Sequence, residues 1–247
     1  RAALKKCRSV AYIETQDELD ELIFGPTHTS RYDVVYTLPG RGTVKEAEVV
    51  RCKNGAVVNF MEDYMRRRDP NSMAVSDDLP SDKPRFQERF GYEFSKLRQE
   101  TMDWFSTQQV ILLPFKAGDD QYGYPSLMVC PSNAAFFALA LANMQGFIPI
   151  VDIPEQYVPR SIIYVAPPFR HTHFQGKQVV VHNRSETLHE VFSYNLYPGP
   201  SAKKGVFSVL LDIGEQEGWV CCHASAAMVE TPYENETVFM HEGASGG

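Results

Sequence analysis

The sequence is short of the features that usually settle a class at once. It has two tryptophans and five cysteines, Cys7, Cys52, Cys130, Cys221 and Cys222, an odd number with no C-x-x-C spacing. Neither a disulfide framework nor a zinc ribbon is indicated, and a reducing cytoplasm fits best. Positive charge is in deficit too, with 24 Lys and Arg against 31 Asp and Glu, a formal charge of -7. General nucleic-acid binding needs a basic surface that displaces counterions from phosphate, and an acidic chain does not favour it. A small anion in a local basic pocket is still compatible. The longest apolar run, residues 134–142, is too short to span a bilayer, and the first residues lack the apolar segment of a secretory leader. No internal repeat and no low-complexity tract is present.

What is there is a chain able to build a core. Its 247 residues are 43% hydrophobic and 12% aromatic, enough for one large domain or two small ones. Leu19, Leu22 and Ile23 recur at helical spacing in residues 16–24, and Gly25-Pro26 stops that helix. Residues 31–40 and 45–60 read as strands, the second broken by an Asn54-Gly55 hairpin turn. The polar stretch 66–84 reads as a long loop, and 85–108 as one helix with Phe86, Phe90, Phe94, Leu97, Met102 and Phe105 on its inner face. Beyond it, strand patterns at 109–115 and 125–130 precede a helix over 132–146, with Ser132 as N-cap and Gly146 past the end. Further strands fall at 161–168 and 177–182; residues 187–196 are ambiguous between helix and strand. A helix then starts near Gly205 and ends at Gly214 or Gly218, and residues 219–229 and 236–243 are the last two strands. Within them Val238-Phe239-Met240 reads as a short buried strand. The alternation implies an α/β class with a mixed sheet flanked by helices. The chain opens on Arg1 rather than Met and stops on a glycine-rich run, so it is expected to be a piece of a longer protein.

Three segments near the end carry chemistry. Lys203-Lys204-Gly205-Val206-Phe207-Ser208 opens the late helix, His223-Ala224-Ser225-Ala226 lies in the following strand, and Gly243-Ala244-Ser245-Gly246-Gly247 ends the chain. Alone, each has a plain structural reading. Lysine pairs are commonly solvated, although helix N-termini favour negative charge; a histidine in an apolar strand is commonly a hydrogen-bonded core residue; terminal Gly and Ser are commonly loose. A strand that runs into a glycine-rich turn is also how phosphate-binding loops begin. His171 and His173 in Phe169-Arg170-His171-Thr172-His173-Phe174 would share one face of a strand, but no third metal ligand has a fixed spacing to them and a polar loop is favoured. Cys221 and Cys222 would point to opposite faces. Phe136 and Phe137 read as sheet packing.

Taken in order, the three late segments resemble the phosphoenolpyruvate carboxykinases. The similarity extends more thinly upstream, through residues 109–144 and through Arg68-Asp69-Pro70, which is similar to that family's Arg-Ser-Pro substrate loop. The resemblance implies that residues 1–247 form a single N-terminal, substrate-binding-type lobe of a cytoplasmic nucleotide-dependent enzyme, its C-terminal nucleotide-binding lobe being absent from the sequence. By that likeness Lys204 and His223 would ligate Mn²⁺ or Mg²⁺, which requires the lysine amine neutral, and Lys203 would bridge substrate and transferring phosphate. Arg68 would grip the carboxylate of a small substrate of the oxaloacetate or phosphoenolpyruvate class, with Arg66 or Arg67 as stand-ins, and Tyr197 would lie beside it. Gly243, Ala244, Ser245, Gly246 and Gly247 would begin the cradle for ATP or GTP phosphates. The partners implied are a small carboxylate, a nucleotide and the missing lobe, with no nucleic acid or membrane. Ala224 and Ala227 stand where the family has Cys and Asn, and the hairpin before the glycine run is longer, which suggests a divergent branch. Two alternatives stay open: a phosphocarrier-protein-kinase-like P-loop kinase, which does not require the Lys203-Lys204 segment, and a noncatalytic module sensing a nucleotide or carboxylate.

Overall fold

The computed structural model describes residues 7–25, 30–61, 72–196, 201–233 and 236–242. The chain divides into two compact units, Arg1–Val209 and Leu210–Gly247. The first unit opens with β1 (Ser9–Tyr12), α1 (Gln16–Phe24), β2 (Arg31–Leu38), β3 (Gly42–Arg51), β4 (Val57–Phe60) and β5 (Met73–Val75). It continues through α2 (Phe86–Phe90), α3 (Phe94–Ser106), β6 (Gln109–Ala117), β7 (Tyr124–Pro131), α4 (Phe136–Gln145), β8 (Ser161–Val165), β9 (Val179–Arg184) and β10 (His189–Tyr194). Helix α5 (Lys204–Gln216) crosses the boundary, and β11 (Ala224–Val229) and β12 (Thr237–Glu242) belong to the second unit.

Among the described residues the main sheet has seven strands in the order β1-β6-β7-β8-β10-β9-β5. Strand pairs β1–β6, β7–β8, β8–β10 and β5–β9 are parallel, whereas β6–β7 and β9–β10 are antiparallel. The architecture is therefore mixed α/β, as the alternation of patterns implies. The central position of β10 explains its sequence. All six of its residues are buried, as expected for a strand with parallel pairing on one edge and covered faces, and because polar His189, Glu190 and Ser193 are buried with the apolar ones, its sequence shows no apolar–polar alternation. Its register against β9 and β8 makes His189–Tyr194, the middle of the ambiguous residues 187–196, a strand.

Helix α3 covers part of this sheet. Phe94, Leu97, Thr101 and Phe105 are its buried residues, spaced three or four apart, so one helical face enters the core. Phe94 meets Phe192 edge-on at 5.1 Å, and Phe192 stacks on Tyr164 at 4.5 Å. The two polar groups on that face are satisfied: Thr101 Oγ1 donates to the Leu97 carbonyl at 2.8 Å and lies 2.7 Å from the Tyr194 hydroxyl. Behind it Glu190, 4% exposed, accepts from Arg98 at 2.7 Å, Asn183 at 2.8 Å and Tyr164 at 3.3 Å. Burial and this carboxylate together raise the Tyr164 phenol pKa well above its usual value.

Local chemistry explains most element ends. Thr15 and Glu18 form a reciprocal capping box at the start of α1, and Gly25 closes it. At residues 54–56 the turn is closed by the Ala56 N–H on Asn54 Oδ1 at 3.2 Å, with Gly55 at φ +84°, a left-handed value that favours glycine. The single helix expected over residues 85–108 is instead two, because Gly91 adopts αL and ends α2. The loop expected over 66–84 contains β5, which pairs with β9. Ser132 does not cap α4; it begins a 3₁₀ turn whose side-chain cap is absent, while Gly146 ends the helix as expected.

The second unit differs in two respects from the expectation. β11 and β12 pair antiparallel from Ala224↔Glu242 to Val229↔Thr237, but Val238, Phe239 and Met240 are 63%, 50% and 60% exposed. The strand expected to be buried is exposed instead, because a two-stranded ribbon has no layer of its own to cover either face. Residues 219–223 are irregular, so the penultimate strand starts at Ala224. Among the described residues no helix is long and apolar enough to cross a membrane.

Candidate functional site

Lys203 and Lys204 sit side by side and exposed where α5 begins. Helical residues 201 and 202 lead into Lys203, whose carbonyl accepts the Phe207 N–H at 3.0 Å. Buried Ala202, Val206 and Val209 pin the inner face of this segment, so the lysines are turned outward by the helical period. The first turn of α5 contains no acidic residue, and neither lysine forms an ion pair among the described residues. Two adjacent, uncompensated ammonium groups at a helix start are electrostatically unfavourable in isolation, and an anion placed against them relieves the repulsion.

His223 is exposed immediately before β11, which removes the reading of a core histidine. It belongs to the second unit and the lysine pair to the first, so each is described in its own unit. Arg68, Tyr197, Gly243, Ala244, Ser245, Gly246 and Gly247 lie outside the described residues, as do Arg66 and Arg67. Cys221 is half-buried and Cys222 exposed, both free thiols ahead of the strand. Among the described residues no group of three or more His, Cys, Asp or Glu is placed to hold a metal ion.

His171 and His173 do not lie on a strand. His171 ends a 3₁₀ turn, and its Nε2 is 3.1 Å from Oε1 of buried Glu46, whose other oxygen accepts from Arg170 Nε at 2.6 Å. His173 Nε2 instead lies 3.1 Å from Glu100 Oε2, and its Nδ1 is 2.9 Å from the Thr172 hydroxyl. The two imidazoles therefore serve different carboxylates and are not a shared ligand pair.

His173 lines a cavity of about 400 Å³ together with Arg89, Phe90, Tyr92, Lys177 and Gln178. The cavity wall contains unusual backbone. Phe174 and Gln175 have φ of +57° and +52°, values that cost non-glycine residues on the order of 1–3 kcal/mol each. Packing holds them: the Phe174 ring is 5.0 Å from that of Phe90 and 5.5 Å from that of Tyr194. The Tyr92 hydroxyl is buried without a hydrogen-bond partner, and burial, with Glu100 second, pushes its pKa up to about 12. Sequence reasoning missed this cavity because its walls come from α2, the turn after it and the segment before β9, with no motif joining them.

Gln178, 6% exposed, ties the cavity floor to two distant parts of the chain. Its Nε2 lies 3.3 Å from Met61 Sδ and donates to the carbonyls of Asn195 and Leu196 at 3.2 and 3.1 Å. Asn195 and Leu196 are again left-handed, at φ +60° and +54°, and Asn195 Nδ2 donates to the Lys177 carbonyl at 2.6 Å. On the opposite wall Arg89 Nη1 donates to the Met73 carbonyl at 3.1 Å. Met61 and Leu196 thus meet at one amide.

These features define a mixed α/β chain with a basic, strained cavity in one unit and an outward-facing lysine pair on a helix that leads into the other. The chain belongs to the family described as Domain of unknown function (DUF4914), whose model matches residues 1–247. No curated protein matches it.

Proposed function

We propose that this chain is the substrate-binding-type lobe of a nucleotide- and divalent-metal-dependent, carboxykinase-like enzyme acting on a small carboxylate, with a fold resembling the N-terminal domain of phosphoenolpyruvate carboxykinase. The observation that supports the reading most is the lysine pair. Lys203 and Lys204 are exposed, adjacent and without an anionic partner among the described residues, the arrangement a polyanionic ligand would neutralise.

In this reading Lys203 attracts the phosphoryl group and the substrate anion, and Arg68 offers its planar fork to the substrate carboxylate. Tyr197 would stand beside the substrate, and residues Gly243, Ala244, Ser245, Gly246 and Gly247 would present backbone N–H groups to ATP or GTP phosphates, the three glycines lacking the Cβ that hinders close approach. A divalent ion would be held by Lys204, as the neutral amine it becomes on losing its proton, and by the His223 imidazole, with its remaining donors supplied by water, substrate or a further lobe. When bound, Mn²⁺ or Mg²⁺ would supply charge neutralisation at the transferring phosphoryl group.

The test is an assay on the full-length protein that carries this chain, following nucleotide-dependent interconversion of oxaloacetate and phosphoenolpyruvate with Mn²⁺. Lys204→Ala and His223→Ala are expected to lower turnover by about 100-fold or more with circular dichroism unchanged. Unaltered turnover and metal dependence in both variants would return the two residues to plain surface roles.

A further inference from the structure

The cavity beside His173 has a composition of its own. Among the described residues that line it are three basic side chains, Arg89, His173 and Lys177, and none that is acidic. His173 is matched by Glu100 at 3.1 Å, whereas Arg89 and Lys177 form no ion pair among the described residues. Two cations converge there without local neutralisation. Between them the walls are aromatic, with Phe90 and Phe174 meeting edge-on at 5.0 Å and Tyr92 alongside. The Arg89 guanidinium lies 5.5 Å from the Phe90 ring centroid, held by the Met73 carbonyl, so its fork is oriented in advance of any ligand.

Two further observations mark the cavity as built for an occupant. Left-handed Phe174 and Gln175 persist in its wall, and such strain is retained mainly where the surrounding structure fixes a functional shape. Gln178 at the floor is held by the carbonyls of Asn195 and Leu196 at 3.2 and 3.1 Å, so that surface is set before a ligand arrives. A volume of about 400 Å³ is within the range of small-molecule sites, which are mostly apolar with a few convergent polar groups.

We propose that this cavity binds a small organic anion with an aromatic or apolar body, its charged end held by Arg89 and Lys177 and its body against Phe90, Tyr92 and Phe174. Gln178 fixes the floor. A carboxylate and a phosphate share the recognising chemistry. The site stands independently of the proposed metal and phosphoryl chemistry, because none of its residues belongs to that set.

Calorimetric titration of the chain with phenylpyruvate and with phenyl phosphate tests it, with acetophenone as the uncharged comparison. At least one anion is expected to bind saturably with Kd below about 1 mM, while acetophenone binds at least tenfold more weakly, a ratio of about 1.4 kcal/mol. The double substitution Arg89→Met and Lys177→Met keeps the apolar stems and is expected to lower anion affinity about tenfold or more. Raising the salt concentration on the unaltered chain should weaken the anions and leave acetophenone unchanged, a readout that does not depend on the variant folding. Lys204→Ala is expected to leave binding unchanged, which separates this site from the proposed catalytic one. Absence of saturable binding by both anions, equal binding of acetophenone, salt-insensitive binding, or unchanged affinity in the folded double variant would each overturn the proposal.

Discussion

The two units use similar apolar sequence for opposite ends. In the first, Val191, Phe192 and Tyr194 of β10 are wholly buried between strands β8 and β9, with Phe192 and Tyr194 in one cluster with the inner face of α3. In the second, every residue of β11 is exposed, and Met228, Phe239 and Met240 lie open on a two-stranded ribbon. A strand's apolar pattern states that its side chains prefer an apolar surrounding; it does not state that the same unit provides one. The first unit is therefore expected to carry most of the chain's folding cooperativity, and the second to contribute comparatively little of its own.

The largest test of that contrast is a pair of truncations of the same side chain. Phe192→Ala removes a ring that stacks on Tyr164 at 4.5 Å and meets Phe94 at 5.1 Å, and should cost about 3–5 kcal/mol. Phe239→Ala, at a ring that is 50% exposed, should shift stability by no more than about 0.5 kcal/mol. Urea denaturation of both variants measures the difference. Equal losses would mean that the ribbon is as deeply involved in the core as β10.

A smaller effect concerns pH within the first unit. His182 Nδ1 and His189 Nε2 are 2.8 Å apart in the buried β9–β10 ladder. Burial, then His189 and Arg184, depress the His182 pKa well below 6.5. The folded form keeps this imidazole neutral, while the unfolded chain takes up a proton below about 6.5. Its contribution to stability is complete above that value and is lost as pH falls from there toward the depressed folded pKa, at up to about 1.4 kcal/mol per pH unit for one proton. His182→Gln should flatten the decline between pH 7 and 5 measured by denaturant titration. An unchanged slope would assign acid sensitivity to other groups.

Much of the first unit was legible because its signals are local. The capping box at Thr15 and Glu18, the turn at Asn54-Gly55 and the stop at Gly146 each fix backbone within a few residues. Gly91 was the local signal overlooked, and it divides one expected helix into α2 and α3. β5 was hidden because three residues in a polar stretch acquire strand geometry only through β9. The lysine pair was legible as a motif, and its exposed position agrees with the helical period of α5. The cavity was not, since Arg89, His173, Lys177 and Gln178 become neighbours only after β5, β9 and β10 assemble. Nothing in the chain's order says that Met61 and Leu196 share one amide partner.

In the proposed function Lys203-Lys204 and His223 both answer to nucleotide and metal, and amide hydrogen exchange reads each segment directly. Exchange of the full-length protein would be followed with and without Mn²⁺ and ATP or GTP. The account predicts slowed exchange in the segments containing Lys203-Lys204 and His223 together, with β8 and β10, already protected by the core, unchanged. Slowed exchange in neither segment with both nucleotides, at concentrations that saturate the protein, would contradict it.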